Sequence, residues 1–366
     1  MTARATLRRT LAACSAAALL VGCGLADYYW QGFAGQAQLL VRARPIDEVL
    51  ASTDDAKLAE RLKRAREIRT FASQELGLPD NASYTRYTDV GRPFVVWNVF
   101  ATPAASLTPL QWCFPVAGCV NYRGYFNEIE AKAEAARLAA EGNDVYIGGV
   151  PAYSTLGWFD DPVLSSFIRY PDTALARLVF HELAHQVVYA KDDSQFNESF
   201  ATAVEEAGVA RWIARQSSKP QHAALIAEQE RGDRLRAEFR RIVRETRPKL
   251  AAVYASDLPE ADKLRQKRAV LKEMRESYEE AKAGEASLSA FDRWFAGYEG
   301  RGVNNASLVA VGLYDDKVPA FRALLNESNG DLKVFYARAK VLAAKPRSER
   351  NKILANLTAP QTTARR

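Results

Sequence analysis

Apolar residues recur at intervals of three and four positions along much of the chain, a spacing that places them on one face of a helix. Leu58, Leu62, Ala65 and Ile68 follow this pattern within residues 27–78. The pattern predicts helices within residues 27–78 and also at residues 127–141, 172–190, 196–215, 318–325 and 332–343. A strongly charged, helix-prone stretch at residues 221–283 predicts a long helical hairpin, broken at Pro248 and Pro259.

Residues 82–126 have a different pattern, because they are rich in β-branched and aromatic residues punctuated by glycine and proline. The runs at residues 94–100 and 144–148 are typical of strands. The predicted fold class is therefore α+β, mostly helical, with a small mixed sheet and the helical hairpin as an annex.

The patterning divides the chain into segments, with no internal repeat. The predicted segments are a signal peptide at 1–22, a helical segment at 23–80, a core of sheet and two helices at 81–215 that holds the candidate chemistry given below, the charged hairpin at 216–300, a C-terminal helical segment at 301–360 that packs onto this core and completes its site, and a disordered tail at 361–366.

The N-terminus has the composition of an export signal. Basic Arg4, Arg8 and Arg9 precede a short apolar run at residues 11–21, and residues 20–23 (Leu-Val-Gly-Cys) resemble a bacterial lipobox with Cys23 as the lipidated residue. Gly24, and not aspartate, follows Cys23, which resembles the pattern of lipoproteins that are sorted to the outer membrane. We expect a lipid-anchored protein of the bacterial cell envelope, in the outer membrane facing the periplasm; the alternative is an ordinary secretory signal cleaved nearby.

The cysteines and the net charge bear on the compartment and on the class of partner. Cys113 and Cys119 flank a turn, and an oxidising compartment favours a disulfide between them over free thiols or a metal site. The formal net charge is +6, with acidic and basic residues interleaved. This pattern is typical of solvated helix surfaces and argues against a nucleic-acid partner.

The candidate chemistry lies in residues 181–185, which read His-Glu-Leu-Ala-His. Positions i and i+4 share one face of a helix, so His181 and His185 can bind one metal ion while Glu182 takes a proton from water. This is the signature of zinc peptidases, and one Zn²⁺ per chain is predicted. The alternative is a helix whose histidines bond backbone carbonyls or face solvent.

The third ligand is predicted in the next helix. Catalytic zinc sites use three protein ligands. Glu198 would bind the metal, while Glu205 or Thr202 would hold a histidine from behind; Glu205 is the competing candidate for the ligand itself.

The pairing of His-Glu-x-x-His with residues 197–201 (Asn-Glu-Ser-Phe-Ala) resembles the gluzincin peptidases, especially the aminopeptidase N group. There the first glutamate of the downstream motif ligates zinc, which corresponds to Glu198. The spacing departs from that group, because twelve residues separate His185 from Glu198 where about eighteen are usual. The chain also resembles a bacterial family of lipoproteins labelled predicted aminopeptidases, in residues 112–115, 122–126, 152–159 and 318–321.

The resemblance implies a gluzincin-like core, a peptide substrate and further site residues. A strand upstream of the metal helix would pair with the substrate, and residues 149–161 lie at about the right distance. Tyr153, Asp160 and Asp161 are the substrate-binding candidates there, although the aromatic residues of this region could equally pack the core. Tyr314 is favoured over Tyr254, Tyr278 and Tyr298 as the donor that stabilises the oxyanion.

The predicted function is therefore a zinc-dependent aminopeptidase with Glu182 as general base. Two alternatives remain open at this point. One is a zinc endopeptidase that acts on envelope proteins or cell-wall peptides. The other is a non-catalytic envelope lipoprotein in which zinc is structural.

Overall fold

The computed structural model describes residues 27–114, 118–312 and 317–358. Its helices are α1 (residues 27–42), α2 (Ile46–Ser52), α3 (Ala56–Gln74), α4 (Glu128–Ala140), α5 (Asp172–His185), α6 (Ser194–Arg215), α7 (His222–Ala255), α8 (Glu260–Gly284), α9 (Asp292–Ala296), α10 (Asn305–Gly312), α11 (Val318–Glu327), α12 (Leu332–Ala343) and α13 (Arg347–Thr358). Its strands are β1 (Arg44–Pro45), β2 (Arg86–Thr88), β3 (Val96–Pro103), β4 (Trp112–Phe114), β5 (Gly118–Val120), β6 (Arg123–Tyr125), β7 (Asn143–Val150) and β8 (Val163–Leu164). The predicted α+β class, mostly helical with small sheets, is confirmed.

The largest sheet has the strand order β6-β3-β7, with both pairings antiparallel. Val96 pairs with Val150 and Pro103 with Asn143, so β7 follows the whole length of β3 and forms one edge of this sheet. Helix α4 covers one face through Ala131, Ala135 and Leu138, which are buried against β3. The strand predicted at residues 144–148 is thus confirmed and extended.

The helices α5 and α6 lie in the main hydrophobic core. Leu175, Val179 and Leu183 of α5 and Phe200 and Val204 of α6 are fully buried. This core also includes residues from α3, α11, α12 and α13, so both ends of the described chain pack around the two helices. The apolar spacing predicted both helices, but α5 ends at His185 rather than near residue 190.

The charged hairpin consists of α7 and α8, which enclose a second cluster of buried residues that includes Ile242, Leu250, Met274 and Tyr278. The predicted break at Pro248 is wrong, because α7 continues through it. A proline inside a helix costs one backbone hydrogen bond. Here Thr246 and Leu250 on either side of Pro248 are buried, and their packing against the hairpin core keeps the helix continuous.

The predicted disulfide is present. Cys113 on β4 and Cys119 on β5 are register partners and are bonded to each other. Asp192 accepts a hydrogen bond from the backbone N–H of Cys119 at 2.6 Å. The disulfide hairpin is therefore attached to the turn between α5 and α6.

Three helices of the described residues were not predicted from the sequence, α9, α10 and α13, whereas α11 and α12 match their predicted positions closely. No helix within the described residues is long and apolar enough to cross a membrane. The predicted signal peptide at 1–22, the lipidation site Cys23, the oxyanion donor Tyr314 and the tail at 361–366 lie outside the described residues.

The turn before α6 is held by a buried ion pair. Asp193 is the N-cap of α6 and accepts a hydrogen bond from the Phe196 N–H at 3.1 Å. Its other oxygen accepts two hydrogen bonds from Arg350 on α13, at 3.1 and 3.0 Å. The two side chains are only 0% and 4% exposed, so the pair is withdrawn from water.

We expect Arg350→Ala to lower the free energy of unfolding by about 3–5 kcal/mol, because it leaves the buried Asp193 carboxylate without its main partner. Arg347 provides the matched control, since it lies 4.0 Å from the same carboxylate but is 57% exposed. Arg347→Ala should cost no more than about 1 kcal/mol. Urea unfolding followed by circular dichroism measures both; equal losses in the two variants would contradict the role given to Arg350.

Candidate metal centre

The helix α5 brings the two histidines together on its buried side. His181 and His185 are one turn apart, and their Nε2 atoms lie 3.1 Å from each other. Their side chains are 13% and 8% exposed. Two imidazole nitrogens thus point at the same small volume next to the core.

The helix α6 adds a carboxylate to the same volume. Glu198 Oε2 lies 3.1 Å from His181 Nε2 and 3.7 Å from His185 Nε2. These are the three residues of the described chain that are grouped closely enough to hold a metal ion. Glu198 lies one turn into α6, and this position brings it close to both histidines, as the sequence spacing predicted.

The distances among the three donor atoms fit a zinc ion. Zinc binds imidazole nitrogen and carboxylate oxygen at about 2.0–2.2 Å in tetrahedral geometry, which places neighbouring donor atoms about 3.3–3.6 Å apart. The observed separations of 3.1, 3.1 and 3.7 Å bracket that range. Two histidines and one glutamate are also a donor set of catalytic rather than structural zinc sites.

The other nitrogen of His181 is held from behind. Its Nδ1 lies 2.9 Å from Glu205 Oε2, and because a carboxylate can only accept, Nδ1 carries the hydrogen. Arg177 donates to the other oxygen of Glu205 at 2.6 Å. This arrangement fixes the imidazole so that Nε2 faces Glu198, and it is typical of histidines that bind metals. Glu205 is thus placed behind the site and away from its centre.

The pKa values describe a cluster that favours a cation at its centre. Burial alone would lower the pKa of His181, but its hydrogen bonds to Glu198 and Glu205 raise it well above the usual value. Burial alone would raise the pKa values of the two glutamates, but the neighbouring histidines lower them, with Arg177 contributing at Glu205. A metal ion that displaced the proton between His181 and Glu198 would meet the Glu198 carboxylate already ionised.

His185 differs from His181 in its surroundings. Burial lowers the pKa of His185 to about 4, so its ring is neutral at physiological pH. Its Nδ1 is buried and has no hydrogen-bond partner among the described residues. A neutral imidazole with one nitrogen facing the donor cluster is the form that binds a metal.

Glu182 lies next to the cluster with its carboxylate uncommitted. It is half-buried, and in the described part of the chain it forms neither a hydrogen bond nor an ion pair. Burial raises the pKa of Glu182 to about 7; His181 opposes this shift, while the negative charges of Glu198 and Asp161 add to it. This pKa is suitable for a group that takes up and releases a proton near neutral pH.

Three tyrosines beside the cluster were not singled out from the sequence. Burial raises the pKa values of Tyr122 and Tyr189, and the charge of Glu198 raises them further. Tyr84 has a buried hydroxyl without a partner among the described residues, and the charge of Glu182 adds to the rise in its pKa caused by burial. Tyr189 lies four residues after His185, and this spacing could have identified it from the sequence. No comparable feature of the sequence points to Tyr84.

The predicted substrate-binding segment needs correction. Only residues 149 and 150 belong to a strand, and the rest up to Asp161 forms a loop. Asp161 is 2% exposed, and both its oxygens accept hydrogen bonds at 2.9 Å, from the backbone N–H and the hydroxyl of Thr155. It organises the loop and is unavailable to a substrate amine. Asp160 is exposed, as is Tyr153, and their binding roles stay predictions.

Thr202, which was predicted as a possible support for a site histidine, does not bond to one. Although it lies one turn after Glu198 and is 8% exposed, no hydrogen bond joins it to either site histidine within the described structure. Glu205 occupies that position, since it is the residue bonded to His181 Nδ1.

Comparison with known proteins gives one match. A family model described as "Putative aminopeptidase" matches residues 27–354, which is most of the chain. No curated protein matches. No solved structure matches either.

We expect Glu198→Ala to weaken zinc binding more severely than Glu205→Ala, because Glu198 faces the space between the histidines and Glu205 faces away from it. Loss of a residue that only orients a histidine typically costs about 10–100-fold in metal affinity. Glu206→Ala is the control, since that glutamate pairs with Arg322 at the surface. Zinc titration with a competing chelator measures all three. The reverse ranking of the first two variants would transfer the ligand role to Glu205.

Proposed function

The chain belongs to the "Putative aminopeptidase" family, and from this membership together with the geometry of the site we propose that it is a zinc-dependent aminopeptidase of the gluzincin type. The observation that carries the proposal is the cluster of His181, His185 and Glu198, whose donor atoms lie 3.1–3.7 Å apart beside the unpaired carboxylate of Glu182. In this proposal the substrate is a peptide and one zinc ion binds per chain.

The two histidines and Glu198 would hold the ion. Zinc, when bound in such a site, activates a water molecule and polarises the carbonyl that the water attacks. Three protein ligands leave a position open for that chemistry, which disfavours a purely structural zinc. Glu205 and Arg177 keep the His181 imidazole in the orientation and tautomer that metal binding needs.

Glu182 would move the proton. Glu182 follows His181 on α5, and its carboxylate lies within the electrostatic influence of His181 and Glu198. It would take a proton from the attacking water and deliver it to the nitrogen of the leaving amine. Its lack of other partners in the described structure keeps the carboxylate free for both transfers.

A hydroxyl donor would stabilise the negative charge that develops on the carbonyl oxygen. Tyr314 remains the donor proposed from the family resemblance. Tyr122 and Tyr189 are the alternatives within the described residues, because both lie in the electrostatic field of Glu198.

The substrate backbone would pair with β7. Among the described residues this strand is an edge of its sheet, and beyond Val145, whose carbonyl accepts a hydrogen bond from Asn304 at 2.8 Å, it could pair with one more strand. Contacts of Phe100 with Tyr146 of β7 and with Tyr122, at ring distances of 6.2 and 5.4 Å, connect β7 to the tyrosine in the field of Glu198. The free amine of the substrate would meet Asp160, since Asp161 is buried.

The location is proposed as well. The lipobox-like residues 20–23 and the disulfide between Cys113 and Cys119 both suit a lipoprotein of the bacterial envelope, in the outer membrane facing the periplasm.

We expect Glu182→Gln to keep its zinc and to lose at least about 100-fold in kcat, because general acid–base catalysis typically contributes about 10²–10⁴-fold. The substitution preserves the shape of the side chain and removes only its capacity to accept a proton. Zinc content and peptide hydrolysis are measured on the same full-length preparation. Unchanged kcat in a zinc-loaded Glu182→Gln protein would refute the mechanism, whereas an inactive wild-type protein that binds zinc would refute the proposed activity.

Matched peptides with free and acetylated N-termini distinguish the two peptidase classes. An aminopeptidase should release the first residue of the free peptides and leave the acetylated peptides intact. Asp160→Asn should then raise KM for the free peptides, because it removes the proposed partner of the amine. Internal cleavage of acetylated peptides would instead identify an endopeptidase. This is the leading alternative, because Asp161 is buried and an endopeptidase needs no acidic residue to bind a free amine.

A further inference from the structure

The helix α1 is attached to the rest of the protein by one face. Gln31 donates a hydrogen bond to the Gly124 carbonyl at 3.2 Å and accepts one from the Phe126 N–H at 3.0 Å. A Cβ atom at Gly35 would lie 2.2 Å from the Phe126 ring, so α1 approaches this part of the protein as closely as a helix can. Leu39 is 6% exposed. These contacts hold α1 in a defined orientation.

The opposite face of α1 is exposed and apolar. Trp30, Phe33 and Val41 are 68%, 67% and 85% exposed. At about 100° per residue they lie within about 80° of one another around the helix and on the side opposite to Gly35 and Leu39. The Trp30 and Phe33 rings are neighbours, with centroids 6.0 Å apart.

This face also lacks charge. No acidic or basic residue occurs between Asp27 and Arg42, a stretch of almost four helical turns. Surface helices normally place charged residues on the side that faces water. An exposed apolar face of this kind, held rigidly, indicates that something other than water covers it.

The chain that precedes α1 identifies the covering surface. Only three residues separate the proposed lipidation site Cys23 from residue 27, where the described part of α1 starts. Four peptide steps reach at most about 14 Å, so an acylated Cys23 would hold α1 at the membrane surface. Exposed tryptophan and phenylalanine side chains are suited to the interface between lipid headgroups and acyl chains.

We propose that the exposed face of α1 is a membrane-docking surface, which lies flat in the headgroup region with Trp30, Phe33 and Val41 inserted. The acyl chains alone would tether the protein without orienting it. Because α1 is fixed to the body of the protein, insertion of its outer face would also fix the orientation of the body on the bilayer. The inference does not depend on the peptidase activity or on zinc.

Quenching of Trp30 fluorescence tests the proposal on the full-length acylated chain in vesicles of phosphatidylethanolamine and phosphatidylglycerol. Lipids brominated near the headgroup quench only tryptophans inserted at that depth. We expect these lipids to quench the wild-type protein and Trp30→Phe to lose most of that quenching. Trp158→Phe is the matched control, because Trp158 is 73% exposed but lies elsewhere, and it should keep the quenching.

Other results would overturn the proposal. If the water-soluble quencher acrylamide reaches Trp30 while brominated lipid does not, the face is exposed to water and only the acyl chains touch the membrane. If neither quencher reaches Trp30, protein covers the face, as in a dimer through α1, and cross-linking between copies would then be expected. Equal lipid quenching in the wild-type protein and Trp30→Phe would also contradict insertion of this face.

Discussion

The hydrogen bond between His181 and Glu205 is the contact on which the geometry of the site depends. It joins α5 to α6 at the centre of their packing and determines which imidazole nitrogen faces Glu198. Glu198 and Glu205 lie seven positions apart on one face of α6, and each meets a different nitrogen of the same ring. This arrangement matches the predicted division of roles, in which Glu198 faces the metal position and Glu205 supports a histidine, and it does not match the alternative in which the two compete for one position.

The sequence predicted the parts of the site that depend on helical periodicity. The positions of His181, His185 and Glu198 on facing helices follow from spacing, as does the buried character of α5 and α6. Long-range packing decided the rest. Periodicity cannot tell that Asp161 bonds to Thr155 instead of facing the substrate, that Tyr84 reaches the field of Glu182, or which of two glutamates faces the centre of the cluster. A gluzincin relationship likewise remains a proposal, because the sequence motifs alone do not establish it and a similarity of the backbone fold would be needed.

Backbone strain is concentrated around the candidate site. Tyr84, Leu156 and Asp192 are three of the five described residues other than glycine with positive φ, at 62°, 57° and 64°. Tyr84 donates its N–H to the Asp161 carbonyl, Leu156 follows Thr155 in the loop that Asp161 organises, and Asp192 lies in the turn between the two metal-site helices. Strained residues of this kind persist only where surrounding contacts hold them, and they cluster at functional sites.

The buried pair between Asp193 and Arg350 has a consequence for the time at which the site matures. A ribosome completes the segment that contains both histidines and Glu198 about 150 residues before it adds Arg350. Until then Asp193, which caps the helix bearing Glu198, lacks its two hydrogen bonds from Arg350 and has the longer contact with Lys317, at 3.4 Å, in their place. An incompletely paired carboxylate is costly to bury. The turn that sets the spacing between α5 and α6 therefore reaches its full stability only when the C-terminal helix arrives. Assembly of the site is thereby coupled to completion of the polypeptide.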